Sequence, residues 1–227
     1  YTQKLIRDLD ELRDRYALNS FYSVFFGGGT PSLCPPEYIA KIIDHLLTHK
    51  LITLDTEITL EANPGTIDRS HLQGFRSANV NRLSLGVQSF NNEMLKNLGR
   101  IHSGENAIEN YFYAREIGFR SINIDLMYGL VNQSTDMAIQ DVETVMQLDP
   151  EHLSFYELTI EPNTLFHYKQ PNLPNESALE IIESTCKRLI QSTHKQYEIS
   201  AFSKPGHQCR HNNHYWRYGD YLGIGAG

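Results

Sequence analysis

No apolar run in this 227-residue chain approaches the roughly 20 residues that a membrane-crossing helix requires. Cysteine is scarce. Cys34, Cys186 and Cys209 are odd in number and far apart, so they favour a reducing compartment over a disulfide framework and cannot form a compact cysteine cluster motif. Positive charge is in deficit, with 20 Lys and Arg against 27 Asp and Glu. The resulting net charge of −7, without any basic run, argues against a nucleic-acid partner. The first residues carry no signal-peptide pattern, and neither internal repeats nor low-complexity tracts occur. A cytoplasmic globular protein is expected, folded as one large domain or as one domain plus a fragment.

Helical and strand periodicities alternate along the chain. Leu5, Leu9, Leu12 and Tyr16 recur at helical spacing. The run Phe21–Phe26 predicts a short buried strand closed by Gly27-Gly28-Gly29-Thr30-Pro31. Pro35 and Pro36 open a helix with Ile39, Ile42, Ile43, Leu46 and Leu47 on one face. Strands are predicted over Glu57–Asn63, Arg82–Gln88, Ser121–Tyr128, His152–Leu158 and Tyr197–Phe202. Between them lie helical stretches around Leu72–Ser77, after the caps Asn91 and Ser103, and over the periodic sets Ile139–Met146 and Leu179–Ile190. From Lys204 the chain reads as a loop dense in His, Asn, Arg and aromatic residues. Tyr1 opens directly on a helical pattern, and the chain stops at Gly225-Ala226-Gly227, so both ends are expected to continue in the native protein.

Strand–helix alternation predicts a parallel sheet with right-handed crossovers. An ordinary open sheet of that kind has near-continuous apolar strands. Here polar residues recur on one face: Thr59, Glu61 and Asn63; Ser84 and Gln88; Asn123 and Asp125; Ser154 and Tyr156; Glu198 and Ser200 around Ile199. A polar stripe on a buried face is costly unless something binds it. The expectation is therefore a partial barrel with a polar lumen, whose working end is where strands run into the loops before helices.

The individual motifs are ambiguous when taken singly. Three glycines after a strand can cradle a ligand with free N–H groups, or simply make a tight turn. Glu61 can accept two ribose hydroxyls, or pair with Arg82 on the neighbouring strand. Gln88 suits an adenine or sugar edge, or the loop backbone. Arg100 suits a carboxylate clamp, or the surface. Asp125, mid-strand between Ile124 and Leu126, requires a ligand, a cation or a donor such as Asn123. The tail Gly206-His207-Gln208-Cys209-Arg210-His211-Asn212-Asn213-His214-Tyr215-Trp216 could bind zinc, or pack as an aromatic loop.

The ordered set is far more specific. Gly-Gly-Gly-Thr-Pro, Glu-Ala-Asn-Pro, Gly-Val-Gln-Ser-Phe, Leu-Gly-Arg-Ile-His and Asp-Leu-Met-Tyr-Gly-Leu follow one another in this chain. Together they resemble the radical S-adenosylmethionine family, in the branch of oxygen-independent coproporphyrinogen III oxidase and its heme-chaperone relatives. The resemblance implies an α/β fold, a partial (β/α)6 TIM-like barrel with parallel strands over residues 1–203. Its first strand would be missing, and residues 204–227 would start a C-terminal region. It implies that Gly28, Gly29 and Thr30 hold the methionyl end of S-adenosyl-L-methionine. Glu61, Gln88 and Asp125 would line its ribose and adenine side, and Arg100 would meet its carboxylate.

The family's Cys-x-x-x-Cys-x-x-Cys motif for a [4Fe-4S] cluster is absent, so its cysteines are expected upstream of Tyr1 and no metal ligand is assigned in this chain. A smaller departure is Val131, where the family usually has proline. The tail's His-Asn-x-x-Tyr-Trp is similar to the heme-associated signature of the chaperone branch, which implies His211, Tyr215 and Trp216 as heme residues. The implied function is heme binding and delivery to recipient heme proteins. Membrane-associated recipients and a homodimer are left open, and the 227-residue chain alone is expected not to cleave S-adenosyl-L-methionine. The rivals are oxidative decarboxylation of coproporphyrinogen III and an unrelated cluster-free sugar or nucleotide chemistry.

Overall fold

The computed structural model describes residues 1–169 and 171–226; Gly227, the end of the expected C-terminal region, lies outside the described residues. In chain order the elements are α1 (Thr2–Tyr16), β1 (Ser23–Phe26), a 3₁₀ turn (Pro31–Leu33), α2 (Pro36–Thr48), β2 (Glu57–Ala62), α3 (Arg69–Ser77), β3 (Arg82–Gln88), α4 (Asn92–Asn97) and α5 (Gly104–Ile117). There follow β4 (Ser121–Tyr128), α6 (Thr135–Leu148), β5 (His152–Glu157), α7 (Leu165–Lys169), α8 (Glu176–Ile190), β6 (Lys195–Gln196), β7 (Ala201–Ser203) and α9 (Arg210–Trp216). The helix starts have local causes. Asp68, Asn91, Ser134 and Asn175 each accept a backbone N–H of the first turn, and Ser103 forms a reciprocal capping box with Asn106.

The sheet has seven strands in the order β1-β2-β3-β4-β5-β7-β6. Strands β1 to β5 are parallel neighbours in sequence order, as βαβ crossovers require. Leu60, Leu83, Leu85, Ile122, Ile124 and Leu153 are fully buried on the face that the helices cover. The helices contribute Ile43, Leu72, Phe75, Val142, Ile182 and Cys186 to the same core.

Three expectations require correction. The sheet is not parallel throughout, because β7 runs antiparallel to β5 and pairs with β6 as an antiparallel hairpin. The predicted strand Tyr197–Phe202 is displaced. Residues 197–200 form a bend between β6 and β7, Ile199 is 70% exposed, and the supposed stripe of Glu198 and Ser200 has no sheet face to occupy. Ile199 alternates with polar neighbours because it lies at a hairpin tip, not in a half-buried strand. Lastly, the tail from Lys204 contains helix α9 where a loop is predicted. Strand β1 also begins at Ser23, two residues after Phe21.

The sheet is open, yet its two flanks meet through α9. The N–H of Arg210 donates to Glu57 Oε1 on β2 at 2.8 Å. One residue earlier, the N–H of Cys209 donates to the Tyr197 hydroxyl beside β7 at 3.2 Å. The His211 ring stacks on Phe25 of β1 with centroids 4.5 Å apart. A short helix reaching both flanks means the sheet curls into an incomplete barrel, with α9 against the end where strands begin.

The displaced strand gives a direct comparison. Leu60→Ala, in the core of β2, should cost about 2–5 kcal/mol in urea unfolding. Ile199→Ser should stay within about 0.5 kcal/mol. Equal losses at the two positions would return Ile199 to a buried strand.

Candidate functional site

The polar stripe survives on β2 to β5 and becomes a connected surface inside the curl. Register places Glu61 beside Ser84, Ser84 beside Asn123, and Asp125 beside Ser154. Asp125 accepts from the Asn123 amide at 2.7 Å and from the Ser84 hydroxyl at 3.2 Å. Asn123 also donates to Ser84 Oγ at 2.8 Å. Burial raises the Asp125 pKa, and the donors Ser154, Asn123 and Ser84 oppose that rise.

Glu61 sits across from this group. Its pKa is raised first by burial and then by the charge of Asp125, and the N–H of Gly28 works in the opposite direction. The structure therefore brings Gly28, Glu61 and Asp125 together at the mouth. An ion pair between Glu61 and Arg82 does not form. Arg82 lies opposite Thr59, one register layer below, and Glu61 faces Ser84. Arg82 is itself 3% exposed, with Nε and Nη2 unpaired among the described residues.

Gly28 has φ +110°, a conformation L side chains rarely adopt, and a Cβ there or at Gly29 would meet nothing within 4 Å. The loop thus presents bare backbone to open space above Glu61. The Thr30 hydroxyl donates to the Gly29 carbonyl, which holds the turn. Ser32 accepts the Asn63 N–H at 3.2 Å and meets Thr66 Oγ1 at 2.8 Å, so the Gly-Gly-Gly-Thr-Pro and Glu-Ala-Asn-Pro segments are fastened together.

Gln88 closes the opposite wall. It ends β3 after an irregular register and carries φ +70°, an unusual conformation for a non-glycine residue. Two groups hold it there that the sequence reading does not assign to the site. The Tyr156 hydroxyl donates to Gln88 Oε1 at 2.8 Å, and this tyrosine also feels the charges of Asp125, Arg100 and Glu61. Behind it, buried Asp141 on α6 accepts from the Ser89 hydroxyl at 2.6 Å and the Phe90 N–H at 2.7 Å. Tyr156 belongs to the visible polar stripe, so its alternation could have flagged it. Asp141 has no such signal. Arg100 is brought to the rim by the segment after α4, where the His102 ring donates to the Val87 carbonyl at 3.1 Å. Close packing sustains this arrangement, since a Cβ on Gly104 would lie 2.2 Å from the Phe90 oxygen.

The three tail residues do not share one environment. His211 is half-buried against Phe25, with Tyr221 edge-on at 6.1 Å, whereas Tyr215 and Trp216 are 63% and 47% exposed. Burial lowers the His211 pKa, which keeps the imidazole neutral with a lone pair available. A neutral imidazole beside open aromatic surface fits an axial heme ligand. The residues at the mouth likewise fit an adenosyl amino acid: a glycine loop open to close approach, hydroxyl-accepting carboxylates, an amide and a guanidinium. The thiols do not fit a cluster. Cys34 is half-buried, Cys186 and Cys209 are buried, and all three stand apart.

A family model described as the Radical SAM superfamily matches residues 2–142. The chain is 45% identical over 228 residues to the heme chaperone HemW of Escherichia coli (strain K12), covering 100% of this chain and 60% of that protein. It is 44% identical to the heme chaperone HemW of Haemophilus influenzae, covering 99% of this chain and 59% of the relative. The chain thus spans about three-fifths of the length of these curated relatives. Among solved structures, coproporphyrinogen III oxidase (HemN) from Escherichia coli, described as a radical SAM enzyme, matches with TM-score 0.76 and 29% identity. That match covers 91% of this chain and 50% of the other. Elp3 of Methanocaldococcus infernus, at 19% identity and TM-score 0.63, shares the fold over 80% of this chain and 48% of its own.

Burial pushes the Asp141 carboxyl up to about 6 from its ordinary 3.8, against the pull of Ser89 and the Phe90 and Asn91 N–H groups. A raised acid pKa means ionisation is harder in the folded state. Its contribution to stability is therefore most favourable below about pH 4 and is lost as pH rises through 6. The stability difference between the parent and Asp141→Asn should fall by about 2–3 kcal/mol from pH 4 to pH 7 in urea titrations. A difference flat with pH would show that Asp141 ionises normally.

Proposed function

The chain belongs to the radical SAM superfamily, and from that premise we propose that it is the barrel portion of a HemW-type heme chaperone. The observation that carries this reading is the His211-Asn212-x-x-Tyr215-Trp216 segment, folded as a helix with a neutral, half-buried imidazole beside exposed aromatic rings. The 44–45% identity to curated heme chaperones over essentially the whole chain supports it.

On this reading His211 ligates heme iron, and Tyr215 and Trp216 cover one porphyrin face. The mouth binds S-adenosyl-L-methionine, which together with a [4Fe-4S] cluster supplies radical chemistry in this family; this chain provides no ligands for that cluster. Gly28, Gly29 and Thr30 hold the methionyl end, with the Gly28 N–H shared with Glu61. Glu61 and Asp125 accept ribose hydroxyls, which relieves the repulsion between their charges. Gln88, fixed by Tyr156, reads the adenine edge, and Arg100 meets the carboxylate. The partners are heme and recipient heme proteins in the cytoplasm, membrane-associated recipients included, and a homodimer is compatible with heme shared between two exposed tails. No helix among the described residues is long and apolar enough to cross a membrane.

The structural likeness to HemN favours one alternative, oxidative decarboxylation of coproporphyrinogen III. The two readings part in one experiment. Full-length protein, reconstituted anaerobically, should take up heme and leave coproporphyrinogen III unconverted. His211→Ala should weaken both the heme absorption band and the affinity. Robust decarboxylation without heme uptake would sink the chaperone reading, and an unchanged spectrum in His211→Ala would remove this residue as a ligand.

A further inference from the structure

A continuous series of side-chain hydrogen bonds crosses the lumen from the floor to the mouth. It starts at Cys209, the residue preceding α9, whose N–H donates to the Tyr197 hydroxyl at 3.2 Å. The Tyr197 oxygen lies 2.7 Å from His152 Nε2, and His152 Nδ1 lies 2.6 Å from Asn123 Oδ1. Asn123 Nδ2 then reaches Asp125 at 2.7 Å. His152 and Asn123 are 1% and 3% exposed, so water does not compete for these bonds.

The direction of each bond follows from its neighbours. The Ser84 hydroxyl donates to Asp125, so its oxygen is left to accept from Asn123; this turns the Asn123 amide nitrogen toward Ser84 and Asp125 and leaves the Asn123 oxygen facing His152. That oxygen only accepts, so His152 carries its proton on Nδ1. Burial keeps the ring neutral, holding its pKa well below 6.5. Nε2 is therefore an acceptor, Tyr197 donates to it, and the Tyr197 oxygen is left to receive the Cys209 N–H. Every donor points from the helix toward Asp125. No member can turn without unpairing a buried neighbour, at a cost typical of an unmade buried bond.

The two ends are the two features that the proposed function uses. Asp125 belongs to the mouth, and Cys209 begins the helix that bears His211, Tyr215 and Trp216. Resting on the reading of Asp125 as a nucleoside contact, we propose that His152 and Tyr197 are positioning residues that make docking of α9 and occupancy of the mouth mutually dependent. A ligand hydroxyl donating to Asp125 fixes the carboxylate rotamer. A fixed carboxylate holds Asn123, and through His152 and Tyr197 it holds the start of α9. The bistable element is α9 itself, docked or released, with Tyr197 and Glu57 as two of its polar anchors beside the Asp55 carbonyl that accepts from Arg210. Coupling of this kind is reciprocal, so heme on a docked α9 also favours nucleoside at the mouth.

The test is hydrogen exchange across residues 209–216 in the anaerobically reconstituted full-length protein, with and without S-adenosylhomocysteine at a calorimetrically saturating concentration. Exchange in α9 should slow about fivefold or more on saturation. Tyr197→Phe keeps the ring and removes both bonds, and should abolish this response. Glu57→Gln weakens the other anchor without cutting the series, so it should exchange faster overall yet keep the response. Saturation of the parent with α9 exchange unchanged would overturn the coupling while leaving the nucleoside reading intact. Equal slowing in Tyr197→Phe would overturn the assignment to this route. Absence of any nucleoside binding would overturn the reading of the mouth and the coupling with it.

Discussion

A carboxylate in the middle of a parallel sheet is the constraint on which the rest of this structure depends. Asp125 sits on β4 between two buried aliphatic side chains, where an unpaired charge would be very costly. Each strand beside it answers with a polar group: Ser84 of β3 and Asn123 of its own strand donate to it, and Ser154 of β5 donates to the Asn123 oxygen. Those choices make one face of the sheet polar. The hydrophobic core is therefore confined to the layer between the opposite face and the helices, and the polar face remains to line a lumen. The curl of the sheet and the mouth above it follow from that division.

A second consequence is the distinction between groups left free at the mouth and groups that hold it in shape. Glu61, Arg100 and the bare glycines face open space. Tyr156 and His102 spend their hydrogen bonds on the end of β3, and Asp141 and Ser32 on the loops. The strained Gln88 backbone persists because groups from β5 and α6 grip it and its neighbours from two sides. Loops at this end thus owe their geometry to elements far away in sequence.

Much of this was legible before any coordinates. Asn91 and Ser103 announced two helix starts, and period-two alternation picked out β2 to β5 with their inward residues. What failed, failed for physical reasons. Alternation reports which face is buried and not which way a strand runs, so nothing in residues 195–203 distinguished an antiparallel hairpin from one more parallel strand. Helix α9 was invisible because His, Asn and Arg at 210–214 show no apolar period and modest helix propensity. It exists because of its surroundings. Asp141 read as a member of an ordinary amphipathic helix, since the Ser89 and Phe90 groups it satisfies lie 52 and 51 residues earlier.

The anchoring of α9 on Glu57 also bears on the order in which the chain acquires its shape. The Arg210 N–H finds its acceptor 153 residues upstream, at the start of β2. A seven-residue helix of such composition is unstable alone in water. It cannot nucleate on its own during synthesis and must wait until the strands that carry Glu57 and His152 have assembled. The helix bearing His211 is therefore set in place after those strands, and its presence certifies that they have assembled. A nascent or misassembled barrel would leave α9 unordered, so the placement of His211 and correct folding are bound to a single event.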